Sequence, residues 1–258
     1  MKKKLKKLLI GILLTTFLLI GTLVTLILYP QVLFAKRTDY KNLRIYGNQE
    51  LNDNYSVIFD NALKLINDAE LFDDKLTFDI FLSNNSLYNI IDTKVFGLAM
   101  ARSIDNNVIL KVNVDFENNL LIGPKNKRNL TRTVAHELVH CLQINKYGIL
   151  KFNPLFPPEL WKLEGYPEYI ANKEEINSAD YRLTNSIKKL KEFEEKGNEW
   201  IEIESGQFDP LVYYKGRVMI EYLIDIRNMT YDQILNDRLT GKSVDDEMEK
   251  WFSEQRVE

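Results

Sequence analysis

Twenty-two consecutive residues, Leu8 to Tyr29, carry no charge, and five lysines (Lys2, Lys3, Lys4, Lys6 and Lys7) stand just before them. As a helix rising 1.5 Å per residue this run spans roughly 33 Å, enough to cross the hydrocarbon core of a bilayer. It divides the chain into a membrane segment and a body that must fold by itself. The lysines favour a cytoplasmic N-terminus with the body on the other side. A cleaved signal peptide competes with this reading, but it usually has a shorter apolar region and a small-residue cleavage site. No A-x-A pattern follows here. We expect residues 1–35 to be an uncleaved signal anchor, 36–53 a polar, weakly periodic stalk, and 54–258 one domain.

Charge separates the two parts. All 37 acidic residues follow position 35 and five of the 34 basic residues precede it, which leaves the body 29 against 37 and a net charge of −8. An acidic body without a basic stripe argues against nucleic acid as a partner. One cysteine, Cys141, excludes an internal disulfide framework.

Val134-Ala135-His136-Glu137-Leu138-Val139-His140-Cys141 carries H-E-x-x-H within a helical apolar period (Leu130, Val134, Leu138, Val139, Leu142) that Gly148 ends. Residues four apart share a helix face, so His136 and His140 can offer two imidazoles to one divalent ion. Glu137 lies between them, placed to take a proton from a water on that ion. The motif also arises by chance. Against that, the chain has only two histidines, and both are in the motif. Cys141 faces about 100° away from His140 and reads as a small buried apolar residue.

The flanking pattern is mixed. Helices are expected over Asn54–Leu71 and as a short turn at Leu87–Ile91, with a strand at Leu76–Leu82. A hairpin of Val95–Ile104 and Val108–Val114 about Asn106-Asn107 follows within a β region reaching residue 122. One of its strands can border a cleft and pair with an extended peptide. Prolines 154, 157 and 158 mark a loop after the motif helix. The remainder reads as helical: Pro158–Asn172, Ala179–Lys196, Asp209–Asn228, Tyr231–Leu239 and Val244–Gln255. Strands followed by helices make an α+β domain with a small mixed sheet and a helical C-terminal half.

Two imidazoles do not complete a catalytic zinc site, and with no histidine left the third ligand must be a carboxylate. Trp161-Lys162-Leu163-Glu164-Gly165-Tyr166-Pro167-Glu168-Tyr169 offers Glu164. Together with H-E-x-x-H this segment resembles the gluzincin metallopeptidases, which follow that motif with W-x-x-E-G-x-A-x-Y on a second helix. Trp161, Glu164, Gly165 and Tyr169 match, while Pro167 stands where a small residue is common. The resemblance implies a zincin-like fold, zinc (Zn2+) on His136, His140 and Glu164, and hydrolysis of peptide bonds with Glu137 as the base. It further implies that Glu168, one turn after Glu164, orients a ligating histidine, although a solvated surface glutamate would read the same way. Tyr213-Tyr214-Lys215-Gly216 is similar to the Y-x-K-G segment of the zinc aminopeptidases, whose tyrosine stabilises an oxyanion. Tyr213 is in register and Tyr214 is the fallback, and either would also suit a core. The resemblance covers residues 95–225. No G-x-M-E-N motif is present, and Gly97-Leu98-Ala99-Met100-Ala101, in about its place, lacks the glutamate.

The resulting expectation is a single-pass membrane zinc peptidase whose domain lies outside the cytoplasm, with a peptide or protein as substrate. An intramembrane protease is disfavoured, because the motif helix is charged and no second apolar span of that length follows. An inactive zincin-like surface domain, binding a partner or serving a structural role in the envelope, is the alternative.

Overall fold

The computed structural model describes residues 2–148, 151–152 and 157–255. Pro154 lies outside them. Helix α1 (Lys2–Leu28) is long and apolar enough to span a membrane. Only its last turn meets the body, where Ile27 is buried. The Thr22 and Thr25 hydroxyls donate to the carbonyls of Leu18 and Gly21, so these two polar groups are satisfied within the helix.

A 3-10 turn at Pro30–Leu33 leads into strands β1 (Lys36–Tyr40) and β2 (Leu43–Gly47), then helix α2 (Tyr55–Asn67), strand β3 (Phe78–Leu82), helix α3 (Leu87–Phe96) and strands β4 (Ala101–Ile104) and β5 (Asn107–Leu110). These strands form a mixed sheet in the order β1-β2-β3-β5-β4, with β2, β3 and β5 parallel and β4 antiparallel at one edge. Alternate residues of its strands serve opposite faces. Ile80 and Val108 join α2 in the main core, whereas their neighbours Phe81 and Ile109 turn to a second cluster with Tyr46 and Tyr88.

Three short strands, β6 (Asn113–Asp115), β7 (Leu120–Ile122) and β8 (Lys127–Asn129), deliver the chain to helix α4 (Leu130–Tyr147). Asn129 ends β8 and caps α4, its side chain accepting from the Arg132 amide at 3.0 Å. Gly148, at φ +80°, closes the helix. Then follow α5 (Leu160–Ala171), α6 (Lys173–Ile176), α7 (Leu183–Glu195), the hairpin β9 (Trp200–Glu204) and β10 (Gln207–Pro210), α8 (Leu211–Glu221) running into a π turn, α9 (Tyr231–Asn236) and α10 (Gly241–Glu254). The second sheet, also mixed, has the order β6-β7-β8-β10-β9.

The class is α+β as expected, with two small sheets among the described residues where one was foreseen. Four local expectations need correction. Residues 36–47, taken as stalk, form β1 and β2, and Leu43 and Ile45 lie in the main core. Val95 and Phe96 belong to α3, because Gly97 at φ +84° stops the helix before β4 can begin. The run Val108–Val114 breaks after Leu110 and serves both sheets as β5 and β6. The helical C-terminal half is interrupted by β9 and β10, so Asp209 lies on a strand rather than at a helix start.

Candidate metal centre

Helix α4 is buried along most of its length, and His136 and His140 project from one face of it. Nε2 of His136 and Nε2 of His140 are 3.1 Å apart, and each is 3.2 Å from Oε2 of Glu164 on α5. Donors held about 2.0–2.1 Å from a tetrahedral zinc ion stand about 3.3 Å from one another, so the triangle has the size such an ion requires. The donor set is chemically apt as well. Nδ1 of His140 lies 2.7 Å from Oε1 of Gln143, which can only accept, so the proton belongs on Nδ1 and the Nε2 lone pair points inward. Inward lone pairs beside a carboxylate oxygen repel unless a cation joins them. Among the described residues these three form the cluster with metal-ligand spacing.

Without a cation the centre titrates as a network of ion pairs. Burial disfavours the charged imidazolium of His136, but Glu168 and Glu164 outweigh it and raise the pKa to about 10. Burial likewise opposes ionisation of Glu164, and the two imidazoles overcome that, holding it well below the usual carboxylate range.

The two histidines are supported differently. Nδ1 of His136 lies 3.2 Å from Oε1 of Glu168, close but off the line of a good hydrogen bond. Arg128 on β8 holds Glu168 at 3.0 Å and Asp209 on β10 at 2.7 Å. Burial resists charge on Glu168, and His136 and Arg128 prevail, bringing its pKa down to about 2. Glu168 is therefore a buried partner of a histidine and not a solvated surface residue. His140 rests on a neutral, fully buried amide. Gln143 accepts from it and donates to the Leu163 carbonyl at 3.1 Å and to the Tyr231 hydroxyl at 2.7 Å.

Pro167 explains part of that arrangement. A helical residue normally donates its N–H to the carbonyl four residues earlier, and proline has no N–H. The carbonyl left over is that of Leu163, the one Gln143 uses. The departure from the small residue usual in the motif thus coincides with a bond that fixes a histidine.

Two glycines bring α5 and α8 together. A Cβ on Gly165 would stand 2.4 Å from the Gly216 carbonyl oxygen, so only glycine permits the crossing. It sets Tyr213 beside the triangle, its ring stacked on that of His136 with centroids 6.2 Å apart. Burial, with Glu164 and Glu137 nearby, raises the Tyr213 pKa and keeps its hydroxyl a donor. Tyr214 points elsewhere, its hydroxyl donating to the Ser186 carbonyl at 3.4 Å and its ring lying under Arg217. Glu137 is buried, and among the described residues its carboxylate has no hydrogen-bond or ion-pair partner. Cys141 is a buried free thiol in the core.

All six residues read from the sequence (His136, Glu137, His140, Glu164, Glu168 and Tyr213) meet here. Gln143, Arg128 and Asp209 were not read. Gln143 carried a signal, lying three residues after His140 on the same helix face. No protein-family model matches the chain, and a search of curated proteins finds no match.

Proposed function

We propose that the protein is a zinc-dependent peptidase of the gluzincin type, with a zincin-like domain tethered to a membrane by α1 and lying on the side opposite the lysine-rich N-terminus. The observation that carries this reading is the triangle of His136, His140 and Glu164, with contacts of 3.1–3.2 Å drawn from two helices. The carboxylate of Glu137 beside it, unpaired among the described residues, supports hydrolysis rather than storage of a metal.

His136, His140 and Glu164 would hold a divalent ion, which would supply Lewis acidity toward a scissile carbonyl and lower the pKa of water. Glu137 would take the proton of the attacking water and deliver it to the leaving amine. The Tyr213 hydroxyl donates toward the oxygen that gains negative charge. Glu168 and Gln143 keep the imidazoles turned with Nε2 inward. Strand β4 is the open edge of the first sheet, so an extended peptide can add to it as a further strand.

The test is the metal content and peptide cleavage of the full chain purified in detergent. About one zinc per chain is expected, lost in His140→Ala. Glu137→Gln should keep the zinc and lose turnover by a factor of ~10²–10⁴. Tyr213→Phe should lower kcat by ~10²-fold with zinc retained. A folded chain that takes up no zinc would overturn the reading.

A further inference from the structure

Helix α3 is amphipathic in the wrong sense for a globular domain. Its inward residues are Tyr88 and the charged Asp92, whereas Leu87, Ile90 and Val95 are exposed, Leu87 and Ile90 one turn apart and Val95 two turns after Leu87. Phe96, the last residue of α3, and Leu98 in the loop after it are exposed as well, Leu98 at 92%. The loop is fastened in place. Lys111 donates to the Gly97 carbonyl at 3.0 Å and Arg102 to that of Phe96 at 3.1 Å, and both cations pair with buried Asp92. A buried ion cluster therefore maintains an apolar projection. A patch of this kind on an otherwise acidic body marks an interaction surface.

Its place in the fold selects the partner. The Tyr88 hydroxyl on α3 donates to the Ile27 carbonyl at 3.3 Å, and the Asn107 side chain donates to that of Leu28 at 3.0 Å. The patch thus adjoins the last turn of the membrane-length helix, where Tyr29 and Val32 are also exposed. Lys94, the one cation within the stripe, is long enough to reach headgroups while its stem lies along the apolar surface.

We propose that the outward face of α3 and the Leu98 loop rest in the headgroup boundary of the bilayer that α1 spans, an inference that depends on α1 being membrane-inserted. The body is then docked on the membrane at two points. The loop runs directly into β4, so the open sheet edge begins at the bilayer surface.

The experiment uses the full chain with Cys141→Ala as background and one new cysteine in each sample: Phe17→Cys in α1, Ile90→Cys, Leu98→Cys, or Glu192→Cys on the exposed side of α7. Each is labelled with an environment-sensitive fluorophore and reconstituted in phosphatidylcholine–phosphatidylglycerol vesicles carrying shallow or deep spin-labelled lipid. Probes at 90 and 98 should be blue-shifted and lose roughly half their intensity to the shallow quencher, as expected for burial of about 5–10 Å. The probe at 17 should respond to the deep quencher and that at 192 to neither. Quenching at 17 with water-like probes at 90 and 98 would overturn the docking and leave the anchor intact. Absence of quenching at 17 would remove the anchor and the docking with it. Blue-shifted probes at 90 and 98 that no lipid quenches would mean that protein covers the face, which also overturns the proposal.

Discussion

The two sides of the candidate metal centre hold equivalent imidazoles by opposite means. His136 leans on a charged chain, Glu168 to Arg128 to Asp209, which ties α5 to β8 and β10 of the second sheet. His140 leans on a neutral one, Gln143 to Leu163 and Tyr231, which ties α4 to α5 and α9 within the core. A carboxylate partner raises the basicity of a ligating imidazole, whereas an amide mainly fixes its orientation. The charged support ends in the partly exposed Arg128 and Asp209, and its contact to the imidazole is 3.2 Å. The neutral one rests on a fully buried amide, and its contact is shorter, at 2.7 Å. In the proposed zinc site one side would tune the ligand and the other would set the frame.

Helix α5 serves both sides through Glu164, Leu163 and Glu168, so displacing it should abolish the distinction. Gly165→Ala puts a methyl group 2.4 Å from a backbone oxygen, which no rotamer relieves. Overpacking against backbone should cost about 3 kcal/mol or more. Thermal unfolding should show the loss, and zinc binding should fall with it. A variant of wild-type stability that still binds zinc would mean that the helices separate easily and that their crossing does not position Glu164.

Arg128→Met tests the charged side alone. Removing one member of a buried ion pair costs ~3–5 kcal/mol. Arg128 is one-fifth exposed, and burial already favours the protonated form of Asp209, so the loss should be nearer 2 kcal/mol. Two further substitutions compare the sides directly by competition with a chelator. Gln143→Leu leaves His140, Leu163 and Tyr231 without their partner and should weaken zinc binding by about 100-fold. Glu168→Gln keeps an acceptor for His136 and removes only charge, so about tenfold is expected. The reverse order would show that basicity matters more here than orientation.

The same division decides what could be read from the sequence. His136 and His140 lie four apart in a helix whose apolar period is visible, with Glu137 between them, so their common face follows from spacing. Glu164 and Glu168 are instead reached through the resemblance to the gluzincin segment. Gln143 was equally accessible and went unread because a buried amide resembles any polar helical residue. Arg128 and Asp209 belong to β8 and β10, strands of three and four residues, too short to show an alternation. They meet because residue 127 pairs with residue 207, a contact with no local signature. The misread stalk has a related cause. Strand β1 is a mostly polar edge, and β2 is only five residues long, with Arg44 on the face opposite Leu43 and Ile45, where Asp79 on β3 neutralises its charge. Nothing near residue 44 announces that partner.

Pro167→Ala should have the smallest effect and asks what fixes the neutral side. The new N–H can bond to the Leu163 carbonyl and compete with the Gln143 amide there. A carbonyl oxygen has two lone pairs, so the bond to Gln143 should weaken rather than vanish. Gln143 also keeps its bond to the Tyr231 hydroxyl, which is itself fixed by donation to the Lys162 carbonyl at 3.0 Å. Zinc affinity should therefore fall about threefold, well short of the loss expected when the amide is removed outright. Helix propensity favours alanine, but the substitution also removes buried ring atoms, so stability should stay within about 1 kcal/mol of the parent. An unchanged affinity would assign the orientation of Gln143 to Tyr231 alone. A loss as large as that of Gln143→Leu would mean that the free carbonyl is the principal anchor, and that the proline sets the position of His140.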